Sequence, residues 1–289
     1  MSKDSSHTIK VVECPRDAMQ GWAHFIPTEK KIKYINNLLK VGFDTLDFGS
    51  FVSPMAIPQM ADTKEVIGNL ELGESDTKLL AIIANERGAN DAVKFDKISY
   101  LGFPFSISET FQQRNTNSSV DESLKRVEAI QQLCMQNNKE LVVYISMGFG
   151  NPYGDEYNEE IVFRRTKQIE ELGVKIISIA DTVGLATANE VEILMQKIIP
   201  AFKNIEIGVH LHSSPENRIH KLEAAWNAGC KRFDSALKGI GGCPMAGNDL
   251  VGNMDTETML NYFKKRGEEF DFNESALQHC SVMASEIFI

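Results

Sequence analysis

Two histidines one residue apart, His210 and His212, close a short apolar run, Ile205-Glu206-Ile207-Gly208-Val209, that reads as a buried strand. Side chains two apart on a strand project to the same face, so the pair can present two imidazoles to one point. Neutral imidazole is the commonest metal ligand, and a His-x-His pair needs only a carboxylate from another element to make a two-histidine, one-carboxylate site. Asp17 is the natural candidate, and its neighbour Arg16 is a fixed positive charge because it cannot lose its proton. This ligand mix suits Mg²⁺ or Mn²⁺, and Zn²⁺ also fits. Such a cation acts as a Lewis acid on a substrate hydroxyl or carbonyl oxygen, with Arg16 placed to stabilise an enolate or oxyanion. Three glycines flank a thiol in Gly239-Ile240-Gly241-Gly242-Cys243-Pro244, which reads as a mobile loop presenting Cys243. Taken singly, each feature has a plainer explanation: core histidines, a surface ion pair, a turn with a buried cysteine. The weight lies in the set.

The elements that must position these residues alternate along the whole chain. Expected strands are Thr8 to Glu13, Phe43 to Phe48, Leu79 to Ile83, Lys97 to Leu101, Leu141 to Ser146, Val174 to Ala180, the run ending in the histidines, and Lys231 to Leu237. Ser119-Val120-Asp121-Glu122 and Thr187-Ala188-Asn189-Glu190 are capping boxes that open helices. Pro27-Thr28-Glu29 opens another helix, stopped by Gly42, and Ser214-Pro215 is expected to cap the one that ends at Gly229. Eight strands alternating with helices, without a composition break, predict an α/β fold: a (β/α)₈ TIM barrel in a single catalytic domain over residues 1–289. The barrel is expected from about residue 8 to about 265, with a short C-terminal helical extension over about 266–289. A doubly wound open sheet is the alternative, weakened because no G-x-G-x-x-G follows the first strand. Barrel chemistry sits at the carboxyl ends of the strands. Those ends carry Arg16 and Asp17, then Asp47, Ser106 and Glu109, Asp181, the histidine pair and Cys243.

Composition narrows the class. The chain has 289 residues, 40 Asp and Glu against 30 Lys and Arg, and a formal net charge of -10, which argues against nucleic acid as a partner. Five scattered cysteines make neither a disulfide framework nor a zinc-finger spacing, so a reducing, cytoplasmic setting is expected. The N-terminal Met1-Ser2-Lys3-Asp4-Ser5-Ser6-His7 lacks an apolar signal core, and no run is apolar enough to span a bilayer, so no membrane partner is expected.

At motif level the chain resembles the 3-hydroxy-3-methylglutaryl-CoA lyases, within the superfamily of metal-dependent barrel lyases and aldol-type synthases. The matching residues are Pro15-Arg16-Asp17 with Gln20, Ser50 to Pro54, Pro58-Gln59-Met60, Ser108-Glu109-Thr110-Phe111 with Asn115, Asp181 to Gly184, His210-Leu211-His212, Gly239 to Pro244, and Gly252-Asn253. The likeness runs in register from about Val11 to about Phe263, and the Gly-Gly-Cys-Pro loop belongs to the lyases rather than the synthases. The resemblance implies that Asp17, His210, His212 and Asn253 surround Mg²⁺ or Mn²⁺. It implies that Arg16, Asp17, His210 and Cys243 are catalytic, and that Gln20, Asp47, Ser50, Ser178 and Asp181 bind substrate. The implied reaction cleaves 3-hydroxy-3-methylglutaryl-CoA to acetyl-CoA and acetoacetate, as in leucine degradation and ketone-body formation, by a homodimer. The alternative is a lyase or aldol-type synthase of the same superfamily acting on a related 3-hydroxyacyl-CoA or 2-oxo acid. Departures from the family pattern are Cys14 and Ala18 where it has glycines, Asp47 for a glutamate, Ser213 for an aspartate, and an altered, slightly longer loop after Cys243.

Overall fold

Each expected strand forms, and all eight are parallel neighbours in chain order in the computed structural model, which describes residues 9–242 and 251–289. In order the elements are β1 (Lys10–Glu13), α1 (Pro15–Gln20), α2 (Thr28–Leu38), β2 (Thr45–Ser50), α3 (Thr63–Gly68), β3 (Lys78–Ile82), α4 (Glu86–Ala92) and β4 (Ile98–Ser106). Then come α5 (Glu109–Thr116), α6 (Val120–Gln136), β5 (Glu140–Ser146), α7 (Glu159–Glu171), β6 (Ile176–Asp181) and α8 (Ala188–Ala201). The chain ends with β7 (Glu206–Leu211), α9 (Arg218–Asn227), β8 (Arg232–Ser235), α10 (Thr256–Lys265) and α11 (Glu274–Ile287). Pairing of β1 with β8, Val12 opposite Asp234 and Glu13 opposite Ser235, closes the barrel.

Strand alternation sorts the core into two parts. On β5, Leu141, Val143 and Ile145 pack outward into the large cluster shared with the helices, while Val142 and Tyr144 join Leu80, Ile82 and Ile176 inside the barrel. Polar groups share that interior. A Cβ on Gly208 would lie 3.0 Å from the Arg232 side chain, so the glycine leaves the room that this buried arginine fills.

Both capping boxes form: Ser119 accepts from the Glu122 amide and Thr187 from the Glu190 amide, each with the reciprocal glutamate bond. Four local expectations are corrected. Arg16 and Asp17 do not sit on the end of β1 but in the six-residue α1, opened by Pro15 at a position where a missing N–H costs nothing. Strand β4 continues past Leu101 to Ser106, through Pro104. The Ile83 amide bonds to the Gly102 carbonyl, so residues 102 and 104 face the β3 side, and pairing there ends at Gly102. Pro104 therefore removes no ladder bond. Helix α9 begins at Arg218 with Asn217 as its cap residue, because Ser214-Pro215 is spent in a turn that Ser214 closes onto Asn217 and Arg218. Glu109 caps α6 by accepting from the Val120 amide, and it does not enter the site.

The C-terminal extension folds back onto the start of the chain. Helix α11 packs against α2, Asn273 donates its amide to the Val41 carbonyl at 2.9 Å, and Phe288 meets Trp22 edge to face.

Candidate active site

Strand β7 delivers His210 and His212 as their spacing requires. Their Nε2 atoms face each other at 3.2 Å, and with an Asp17 oxygen from α1 the three ligand atoms lie within 4.8 Å of one another. Asn253 joins them because residues 252–254 pair with the end of β7: His212 bridges to Asn253, and Ser213 donates to the Gly252 carbonyl. Asn253 presents its amide nitrogen to Asp17 Oδ2 at 2.8 Å and to the Ile240 carbonyl at 2.9 Å.

Arg16 lies across this group. Its Nε donates to both oxygens of Asp47, at 3.1 and 3.0 Å, with a further Nη2 contact to Asp47. Its Nη1 donates to Asp17 at 3.0 Å and to Gln20 at 2.9 Å, while Gln20 donates back to Asp17 at 2.6 Å. Arg16, Asp17 and Asp47 are buried, and Gln20 is half-buried. Burial works to raise the Asp17 carboxyl, but Arg16 and then the two histidines outweigh it and hold the group at about 2. Burial raises Asp47 to about 6 against the pull of Arg16, so both acids are ionised at neutral pH.

The two imidazoles differ. Burial, then the neighbouring His210, pushes His212 down to about 4 and keeps it neutral. Burial would lower His210 as well, but the hydrogen bond and charge of Asp234 reverse it and raise the group. Asp234 Oδ2 meets His210 Nδ1 at 3.1 Å, which orients the ring and turns the Nε2 lone pair toward His212 and Asp17. Two facing nitrogens and a carboxylate, with one imidazole neutral and the other fixed by a carboxylate behind it, fit a divalent cation.

A cavity of about 380 Å³ opens over these groups. Arg16, Asp17, Gln20, His210 and His212 line it, with Val52, Ile57 and Phe111 as apolar walls and Arg114 and Asn115 from α5. Ser50, Ser178 and Asp181 are not among its lining residues. Ser50 donates its hydroxyl to the Ile82 carbonyl, and the Ser178 hydroxyl is buried on β6 without a partner among the described residues. Asp181 is corrected from the pocket to its support: it takes a 2.7 Å ion pair from Lys221 on α9, and the same ammonium donates to the His212 carbonyl at 2.9 Å. Cys243 lies outside the described residues. The glycines before it take left-handed backbone, and Gly241 (φ 107) passes so close that a Cβ would lie 2.7 Å from both Asn253 Nδ2 and the Asp17 carbonyl oxygen.

Asp234 and Lys221 escape a reading of strand ends. An acid in the middle of the expected Lys231 to Leu237 strand is a usable signal for the first, but only the barrel register places it beside His210. Nothing local marks Lys221, which acts from a helix.

Among known proteins, residues 9–287 match the family described as HMGL-like. A hydroxymethylglutaryl-CoA lyase of Bacillus subtilis is 31% identical over 253 residues, covering 88% of this chain and 83% of that protein. A 3-hydroxy-3-isohexenylglutaryl-CoA/hydroxymethylglutaryl-CoA lyase of Pseudomonas aeruginosa is 29% identical, covering 87% and 83%. The solved structure of an HMG-CoA lyase from Acinetobacter baumannii, in complex with coenzyme A and 3-methylmalate, is similar with a TM-score of 0.89 at 29% identity, covering 98% of this chain and 93% of that one.

Proposed function

The chain belongs to the HMGL-like family, and from that premise we propose that it is a carbon–carbon lyase that cleaves 3-hydroxy-3-methylglutaryl-CoA to acetyl-CoA and acetoacetate. The observation that carries this reading is the convergence of buried Asp17 and His212 with half-buried His210 beneath a guanidinium in one cavity. Asp17, His210 and His212 hold a divalent cation, Mg²⁺ or Mn²⁺, with Asn253 beside them. When bound, it supplies Lewis acidity to the tertiary hydroxyl and its neighbouring carbonyl.

The chain's own residues do the rest. Loss of the hydroxyl proton to a base turns C3 into a ketone as the C2–C3 bond breaks, and the bonding pair leaves on the acetyl-CoA fragment as an enolate. Arg16, fixed by Asp47, Asp17 and Gln20, holds its positive charge where that enolate oxygen develops, so little reorganisation is needed when the charge appears. A proton then returns to the enolate carbon. Cys243, which follows Gly242 in the sequence, is read as the donor or as part of the seal that excludes water, without an acyl-enzyme. Asp181 acts from behind the pocket wall by holding Lys221 against the His212 backbone. A homodimer and a cytoplasmic setting belong to the same proposal; no helix among the described residues is long and apolar enough to cross a membrane.

The test is turnover by purified protein, following acetyl-CoA release with and without Mg²⁺ or Mn²⁺. Release that depends on the cation is expected; no release from 3-hydroxy-3-methylglutaryl-CoA with either cation overturns the reading. The apolar wall of Val52, Ile57 and Phe111 favours one second reading, a 3-hydroxyacyl-CoA with a longer branch. A higher kcat/KM for such a substrate in the same assay would establish it.

A further inference from the structure

Behind His210, on the side away from His212, a second set of ligand-type atoms converges. Cys14, His210 and Asp234 bring a sulfur, a ring nitrogen and a carboxylate oxygen within 4.8 Å of one another. His210 and Asp234 come from the adjacent strands β7 and β8, and Cys14 is the residue that follows β1. Val12 is in register with Asp234, and Asp234 with His210, while Cys14 lies two residues beyond Val12 and so projects to the same face. Cys14 and Asp234 are 1% and 3% exposed. His210 uses its two nitrogens in opposite directions, Nδ1 toward Asp234 at 3.1 Å and Nε2 toward His212 at 3.2 Å.

One observation points to a missing partner here. Among the described residues Asp234 Oδ1 is buried without a hydrogen-bond donor, an expensive state for a carboxylate oxygen. The thiol adds what the Asp17 group lacks, a soft ligand.

We propose that Cys14, His210 Nδ1 and Asp234 form a second cation site, selective for a thiophilic d¹⁰ divalent ion such as Zn²⁺ or Cd²⁺, joined to the first site through the His210 ring. Tetrahedral bonding to sulfur and nitrogen places those atoms about 3.5 Å apart, so the group needs to contract by only about an ångström. Binding breaks the S–H bond of Cys14 and the N–H bond that His210 shares with Asp234. Both protons go to solvent, the two freed lone pairs go to the cation, and nothing is oxidised or reduced. Hard ions such as Mg²⁺ gain nothing from the sulfur and stay at Asp17, His210 and His212.

The experiment uses the full chain carrying Cys243→Ser, so that the loop thiol cannot contribute, with the first site filled by Mn²⁺. Titration with Cd²⁺ is followed by the ultraviolet thiolate-to-cadmium charge-transfer band and by bound metal per chain. The expected result is one cadmium beyond the retained manganese, with the band saturating at that equivalent, and loss of both when Cys14→Ser is added. Zn K-edge absorption on the same manganese-loaded protein needs no change at Cys14, and it should show one sulfur at about 2.3 Å. A zinc shell without sulfur, cadmium that merely replaces manganese, or a band that survives Cys14→Ser would each overturn the site. None of these readouts depends on turnover or on the acyl group.

Discussion

Arg16 is the residue on which the proposed chemistry turns, and its surroundings separate binding from catalysis. Its guanidinium is held by two acids and an amide before any substrate arrives, so the position of its charge is fixed by the protein. Replacing it by glutamine keeps a polar side chain but removes the charge that a developing enolate needs. Steady-state kinetics of Arg16→Gln should show kcat lower by about 10²- to 10³-fold with KM changed far less. A change confined to KM would make Arg16 a substrate clamp. Asp47 acts on stability instead. Asp47→Ala leaves a buried guanidinium with only Asp17 as its ionised partner, and urea denaturation should show a loss of about 3 kcal/mol. At this scale the sequence is legible where one element suffices. His210 and His212 share a face by strand period alone, and Asp17, just beyond β1, is the carboxylate that meets them. Asp181 and Glu109 were misread because a polar residue at a strand end can turn toward a helix as readily as into a pocket, and only packing decides. Asp234 and Lys221 were missed because their partners come from other elements.

Among the elements, the strands and the two capping boxes follow from local rules, while the connections that build the site do not. Period-two apolar runs and Ser or Thr three residues before Glu need no tertiary information. The short α1 does need it, because six residues do not sustain a helix in water. It persists because Pro15 starts it and its residues through Met19 are buried against the barrel mouth. The loop after β8 shows the same dependence. Its glycines suggested mobility, but in the described part they meet a geometric demand: Gly241 lies against Asp17, Ala18 and Asn253, where a side chain has no room. Gly241→Ala should therefore push the loop away from Asp17 and Asn253 together. The expected outcome is weaker Mn²⁺ affinity by calorimetry and lower turnover, with far-ultraviolet circular dichroism unchanged. Unaltered manganese affinity would mean that the loop yields without moving its neighbours.

For the whole molecule, the seam where the chain's beginning meets its end carries a further, pH-dependent consequence. Glu13 at the end of β1 is fully buried, accepting from the Leu237 amide at 2.8 Å and from the Thr256 hydroxyl at 2.6 Å, and that hydroxyl also contacts Ser235 at 2.9 Å. One carboxyl thus ties β1 to the turn after β8 and to the start of α10. Burial dominates these hydrogen bonds and raises the group from 4.5 to about 8, so folded protein keeps the proton that the unfolded chain releases near 4.5. Between those values the native state binds more protons than the unfolded one, and stability must fall as pH rises. The contribution is complete below about 4.5 and is lost as pH passes through about 8. Glutamine reproduces the neutral acid: its oxygen can accept from Leu237, and its amide can donate to Thr256 while the threonine hydroxyl turns to Ser235. Glu13→Gln should match the natural protein in urea denaturation near pH 5 and exceed it by a few kcal/mol near pH 9. The comparison cancels His210 and other groups common to both proteins, so the difference between the two curves isolates Glu13. Parallel curves from pH 5 to 9 would show that this carboxyl is ionised throughout and that the seam is held by its charge.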